Sequence, residues 1–125
     1  MNPLEQQFEL LKIYWIDAVL IRLPDGSHLV SVPNVQLPNG WTKGVTEIKF
    51  IAPVGYPLSR PDCFWADHDL RLANGGMPQN TGPNAIPHSP GNYLWFSWHL
   101  ATWNPNSDNL LTYLNVIKRR LHDPR

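Results

Sequence analysis

The stretch Phe50 to Trp65, F-I-A-P-V-G-Y-P-L-S-R-P-D-C-F-W, limits the possible folds more than any other part of the chain. Pro53, Pro57 and Pro61 stand four residues apart. Each fixes φ at about −65°, removes an N–H donor and pushes the residue before it to extended geometry. Neither a helix nor a central strand tolerates that pattern. The segment must be a stiff, irregular hinge, entered from the end of one strand and left through a short apolar run, Phe64-Trp65. The Tyr56 ring is the natural anchor for so much irregular backbone.

The rest of the chain is arranged around this hinge. Asn2-Pro3 opens a helix: Asn caps well, Pro suits the first helical position, and Glu5 completes a capping box. Leu4, Phe8, Leu11 and Trp15 give it one apolar stripe, and it should end near Lys12. Ile16 to Leu23 reads as a strand, Pro24-Asp25-Gly26-Ser27 as a hairpin turn, and His28 to Val32 as the returning strand. Leu37-Pro38-Asn39-Gly40 makes the next turn. Thr46 to Ile51 is a third strand with Ile48 and Phe50 on one face and Glu47 and Lys49 on the other. Beyond the hinge, Cys63 to Ala66 is a short fourth strand.

Ala73 to Asn92 carries four prolines and four glycines and is expected to be a long loop without regular structure. Aromatics return at Tyr93, Trp95, Phe96, Trp98 and Trp103, a run closed by Trp103-Asn104-Pro105. Asn106 or Ser107 can cap a last helix with the stripe Leu110, Leu114, Ile117 and Leu121. Lys118, Arg119 and Arg120 then form a basic last turn, read as a solvated helix end. The expected architecture is α+β: an N-terminal helix, an antiparallel four-stranded meander, the proline hinge, the long loop and a C-terminal helix, with both helices on one face.

With 125 residues the chain is read as a single domain, 1–125, large enough for a real core. Ten basic and ten acidic side chains cancel, so charge gives no reason to expect nucleic acid or an anionic membrane as partner. No leader and no apolar run of about eighteen residues is visible. The lone cysteine excludes an internal disulfide and fits a reducing, cytoplasmic setting.

Together, Tyr56-Pro57 with Pro61 and Phe64, and then Trp103-x-Pro105 before a helix bearing Leu110, Leu114 and Ile117, resemble the ubiquitin-conjugating enzyme fold. More closely, Y-P-x-x-x-P-D-x-F-W, F-S-W-H and W-x-P-x-x-D-x-L-x-x-Y-L are similar to a bacterial branch of that superfamily, found with ubiquitin-like modifiers in conjugation operons. The resemblance covers nearly the whole chain. It implies Tyr56, Pro57, Pro61, Trp103 and Pro105 as the structural frame, and a ubiquitin-like modifier and an adenylating, activating-enzyme-like protein as partners. It implies no cofactor and no metal. Two departures stand out. The eukaryotic enzymes carry a His-Pro-Asn triplet where this chain reads Arg71-Leu72-Ala73, leaving Asn74 or the long loop to supply an asparagine. Their catalytic cysteine precedes the tryptophan turn, where this chain has Trp95, Phe96, Ser97, Trp98 and His99.

Three sets of residues are candidates for chemistry. Ser97 and His99 occupy the family's active-site window. In extended backbone they share a face, so the imidazole can serve as base toward the hydroxyl and an oxyester can replace the usual thioester. The competing reading is a loop hydroxyl at Ser97 and a buried imidazole at His99 bonded to backbone. Cys63 is the alternative acceptor, since a thiolate is the natural nucleophile for transthiolation. Its place in a short strand beside Asp62, outside the active-site window, favours a small packed hydrophobe with a raised pKa. Asp67, His68 and Asp69 have metal-ligand side chains but no zinc spacing, and read as a solvated turn. Gly75-Gly76 reads as a turn needing φ > 0. Three readings remain open, the first two being an acyl carrier for the modifier and a non-catalytic variant of the fold that positions modifier or activating enzyme. An unrelated α+β domain with an aromatic ligand pocket is the third.

Overall fold

The computed structural model describes residues 2–125. Its elements are α1 (Pro3–Tyr14), β1 (Val19–Arg22), β2 (His28–Gln36), β3 (Val45–Ala52), β4 (Phe64–Asp67), β5 (Thr81–Gly82), β6 (Tyr93–Phe96) and α2 (Leu110–Leu121). The strands form one antiparallel sheet in the order β1-β2-β3-β4-β6-β5. The α+β class, the sequential meander and the two terminal helices match the expectation. The sheet has six strands rather than four. Tyr93–Phe96 continues it by pairing with β4, and Thr81–Gly82 adds a short edge inside the segment expected to lack regular structure. The aromatic run is therefore a strand, and its β-forming side chains were the available sign of it.

The element ends differ in instructive ways. Asn2 caps α1 through the Glu5 N–H, as its sequence demands, but the helix runs on to Tyr14. β1 begins only at Val19, because Ile16 and Asp17 turn the chain after the helix, closed by the Ala18 N–H on the Trp15 carbonyl at 3.0 Å; Ile16 is left 78% exposed. β2 extends past Val32 to Gln36 by means of a bulge at Pro33-Asn34, where Asn34 takes φ 61°. A bulge absorbs the donor that proline lacks. Asn109, not Asn106 or Ser107, caps α2 in a reciprocal box with Thr112. The earlier pair is used up in the turn after Trp103, where Asn106 and Ser107 donate to Asn104.

The core lies between the sheet and both helices. Leu4, Phe8 and Leu11 of α1 and Leu110, Tyr113, Leu114, Ile117 and Leu121 of α2 bury against Ile48, Phe50, Phe64 and Phe96. Phe64 and Phe96 stack at 4.6 Å, and Tyr113 meets Phe50 edge-on at 5.1 Å. A second, smaller cluster of Leu23, Leu29, Trp65 and Ile86 sits on the opposite face. There the Gly/Pro loop covers the sheet, held by the Trp65 indole N–H on the Asn84 carbonyl at 2.8 Å. Gly40 is required at its place: it has φ +114°, and a Cβ there would meet Pro124 at 2.7 Å.

The basic turn at the end of α2 is not wholly solvated. Arg120 is 2% exposed, because it stands three residues after Ile117 and seven after Tyr113, on the buried stripe. Its guanidinium lies 5.4 Å from both the Phe96 and Trp98 rings and donates to the carbonyls of Gln79, Asp123 and Arg125. Among the described residues no helix is long and apolar enough to cross a membrane.

Candidate functional site

The site is framed by the hinge and the turn after Trp103, which are stitched together. The Trp103 indole N–H donates to the Pro57 carbonyl at 2.7 Å, and the rings of Trp103 and Tyr56 are 6.0 Å apart. Arg60 donates to the Leu100 carbonyl at 2.7 Å. The Tyr56 hydroxyl donates to the Gln7 side-chain oxygen, which also accepts the Leu110 N–H at 3.2 Å. One glutamine thus joins α1, the hinge and the start of α2. Tyr56 is half-buried, and Trp103 shares its anchoring role. Burial, and then the nearby Asp108 carboxylate, raise the Tyr56 pKa far above the ordinary phenol value, so its hydroxyl remains a donor. Pro61 is buried beneath this frame, and Pro105 lies in the turn that Asn104 closes with the Asp108 N–H at 2.7 Å.

A strap, residues 97–101, runs from the end of β6 between these supports. Leu94 and Phe96 face the helices, and Trp98 continues that phase, its carbonyl accepting from the Tyr113 hydroxyl at 2.7 Å. Ser97 and His99, on either side of Trp98, are exposed. The Ser97 N–H is fixed on the Asn80 carbonyl at 2.8 Å. Among the described residues the Ser97 hydroxyl has no hydrogen bond to His99. The His99 Nδ1 instead stands 3.7 Å from a carboxylate oxygen of Asp62, the residue after the last hinge proline. Asp62 was considered from sequence only as a neighbour of Cys63; nothing local could tell that the hinge brings it to His99.

Cys63 is half-buried and packs with Trp95 and Ile51 on the second face. Burial raises its thiol pKa, a hydrogen bond from Trp95 opposes this, and the Asp62 charge raises it further. The thiol borders a shallow cavity of about 190 Å³ with Arg60, Asp62 and Pro87. Asn74 is spent on a local turn, accepting the Gly76 N–H at 2.8 Å. Gly75 holds φ +87° in that turn. Asp67 and Asp69 both bind Lys43, at 2.8 and 3.0 Å, so this pair of carboxylates is matched to an ammonium.

A family profile, prokaryotic E2 family E, matches residues 17–123. The chain belongs to that family. It is a bacterial E2-like protein, and the family ties it to ubiquitin-like conjugation. Comparisons with curated proteins and with solved structures gave no match. Within this E2-like chain, the hinge of Tyr56-Pro57 and the turn of Trp103 hold the strap that carries Ser97 and His99.

Proposed function

We propose that this E2-like protein accepts the activated C-terminus of a ubiquitin-like modifier from an activating enzyme and passes it on, with Ser97 as acceptor. The contact between Asp62 and His99, two residues from an exposed serine in the window of the family's active site, carries the reading. With Nδ1 facing Asp62, Nε2 of His99 is the nitrogen available to take the serine proton. In the step itself Ser97 Oγ attacks the carbonyl carbon of the activating enzyme's thioester. The C–O bond forms, the C–S bond breaks, and the proton taken by His99 goes to the departing thiolate. Catalytic hydrogen bonds of this kind often close only when substrate is bound, which accommodates the open Ser97–His99 geometry.

A second reading is a non-catalytic E2-like module that binds and positions the modifier or the activating enzyme. The observation favouring it is the absence of an activated nucleophile: the one thiol has a raised pKa, and Ser97 lacks a bonded base. One experiment separates the two. The protein is mixed with modifier, activating enzyme and ATP. A base-labile, thiol-resistant adduct that Ser97→Ala removes supports the oxyester. A thiol-sensitive adduct lost in Cys63→Ala moves the acceptor to Cys63, and a modifier complex without adduct supports the module.

A further inference from the structure

Asn80 stands directly across from Ser97. The short β5 pairs with β6 as Thr81 with Phe96 and Gly82 with Trp95, and one step further the Ser97 N–H donates to the Asn80 carbonyl at 2.8 Å. Residues opposed in this way carry their Cβ atoms about 4.5–5.5 Å apart. The backbone on either side of Asn80 is held: the Gln79 carbonyl accepts from Arg120 at 2.9 Å, and the Thr81 hydroxyl donates to the Pro78 carbonyl at 2.7 Å. Yet the Asn80 side chain is exposed and, among the described residues, makes no hydrogen bond. Asn80 also holds φ 61°. That left-handed region is costly for a residue with a Cβ. Asparagine visits it with the help of a local side-chain hydrogen bond, and glycine enters it freely. The turn therefore asks for nothing that this unbonded carboxamide provides.

Transfer to Ser97 needs a hydrogen-bond donor at the reacting carbonyl oxygen. As Ser97 Oγ adds to the thioester carbon, the carbonyl π electrons move onto that oxygen, and donors already in place stabilise the charge. The N–H of a nucleophilic serine is a common donor of this kind, but the Ser97 N–H is spent on Asn80. The Arg60 guanidinium is turned to the carbonyls of Leu100 and Ala101, at 2.7 and 3.5 Å. In the transfer reading His99 is occupied with the proton. We infer that the Asn80 carboxamide is an oxyanion donor of the transfer step. Its NH₂ group meets the oxygen of the modifier's terminal carbonyl while the C–O bond to Ser97 forms. It lets that oxygen go when the C=O bond is restored and the C–S bond breaks. Asn80 is then a catalytic residue, neutral and held in place by its backbone. This role rests on the transfer reading and adds a third group to its site.

The test follows single-turnover transfer of the ubiquitin-like modifier, carried as a thioester on the activating enzyme, to the wild type, Asn80→Gly and Asn80→Asp. Glycine keeps the turn and removes the carboxamide. Aspartate keeps the shape and the tolerance for φ > 0 but puts an anion where the donor was. The maximal rate is expected to fall by about 10²–10³-fold in Asn80→Gly, and at least as far in Asn80→Asp. The half-saturating concentration of loaded activating enzyme and the urea midpoint should stay at their wild-type values. A residue that serves only the turn gives the opposite pattern, with Asn80→Gly as active and as stable as the wild type. That result overturns the assignment. So does a wild-type rate in Asn80→Asp, a loss confined to half-saturation, or a loss of rate matched by a lowered urea midpoint in both variants. A wild-type protein that forms no adduct on Ser97 ends the transfer reading and this role with it. A Ser97 adduct formed at full rate by Asn80→Gly ends this role alone.

Discussion

The frame of the site and the strap it carries are built on opposite principles. In the frame, polar side-chain atoms are tied up in bonds: the Trp103 indole satisfies the Pro57 carbonyl, and the Gln7 oxygen accepts from both the Tyr56 hydroxyl and the Leu110 N–H at the start of α2. In the strap the backbone is held just as firmly, by Tyr113 on Trp98, Arg60 on Leu100 and Asn80 on Ser97. Its polar side chains, Ser97 and His99, are instead left to solvent. A structural residue gains by hiding its polar atoms in bonded pairs, whereas a residue that must meet an incoming carbonyl has to keep them open. Mutations should therefore separate stability from transfer along this line.

The sharpest separation is expected at the strap. Ser97→Ala should abolish the adduct, and His99→Ala should slow its formation by about 10²–10⁴-fold. Both variants should keep wild-type stability to within about 0.5 kcal/mol in urea unfolding, as exposed substitutions do. Wild-type transfer by Ser97→Ala would end the oxyester reading. The frame should behave in the opposite way. Tyr56→Ala is expected to cost about 2–3 kcal/mol, below the range for fully buried aromatics because the ring is half-exposed. A loss under about 1 kcal/mol in the same unfolding assay would show that Trp103 alone holds the hinge. Trp103→Phe keeps most of the ring and removes the bond to Pro57, so about 1–2 kcal/mol is expected.

Cys63 tests whether the second face belongs to the frame or to the site. Cys63→Ala should cost about 1 kcal/mol and leave transfer intact. Its raised pKa means less thiolate at any given pH than an ordinary thiol has. Alkylation of the native protein should accordingly be slow at pH 7 and accelerate only above the usual thiol range; rapid labelling at neutral pH would contradict this. A similarly small stability effect is expected at Asp62, whose side chain is 82% exposed. Asp62→Asn should change stability by less than about 0.5 kcal/mol yet slow adduct formation if the carboxylate orients His99. Unchanged transfer would reduce that contact to a surface pair.

Much of this arrangement is legible in the sequence. Proline spacing announces the hinge because it acts on the backbone residue by residue. The stripes of α1 and α2 are visible because a helix repeats over a few positions, and Arg120 stands in phase with Tyr113 and Ile117, which was the overlooked sign of its burial. The strand Tyr93–Phe96 was missed because a run of aromatics without punctuation reads equally as loop anchors or as a sheet face, and only its pairing with β4 separates the two.

The sequence by itself determined the local rules of this protein: where helices begin, where prolines forbid them, which residue types stand in the active-site window, and how the charges balance. Tertiary structure alone decided which distant groups meet. It brought Asp62 to His99, Gln7 to both Tyr56 and Leu110, and Arg120 under Trp98. Each of these contacts joins elements far apart in the chain. Their geometry is set by how the sheet, the hinge and α2 pack together, which no window of neighbouring residues encodes.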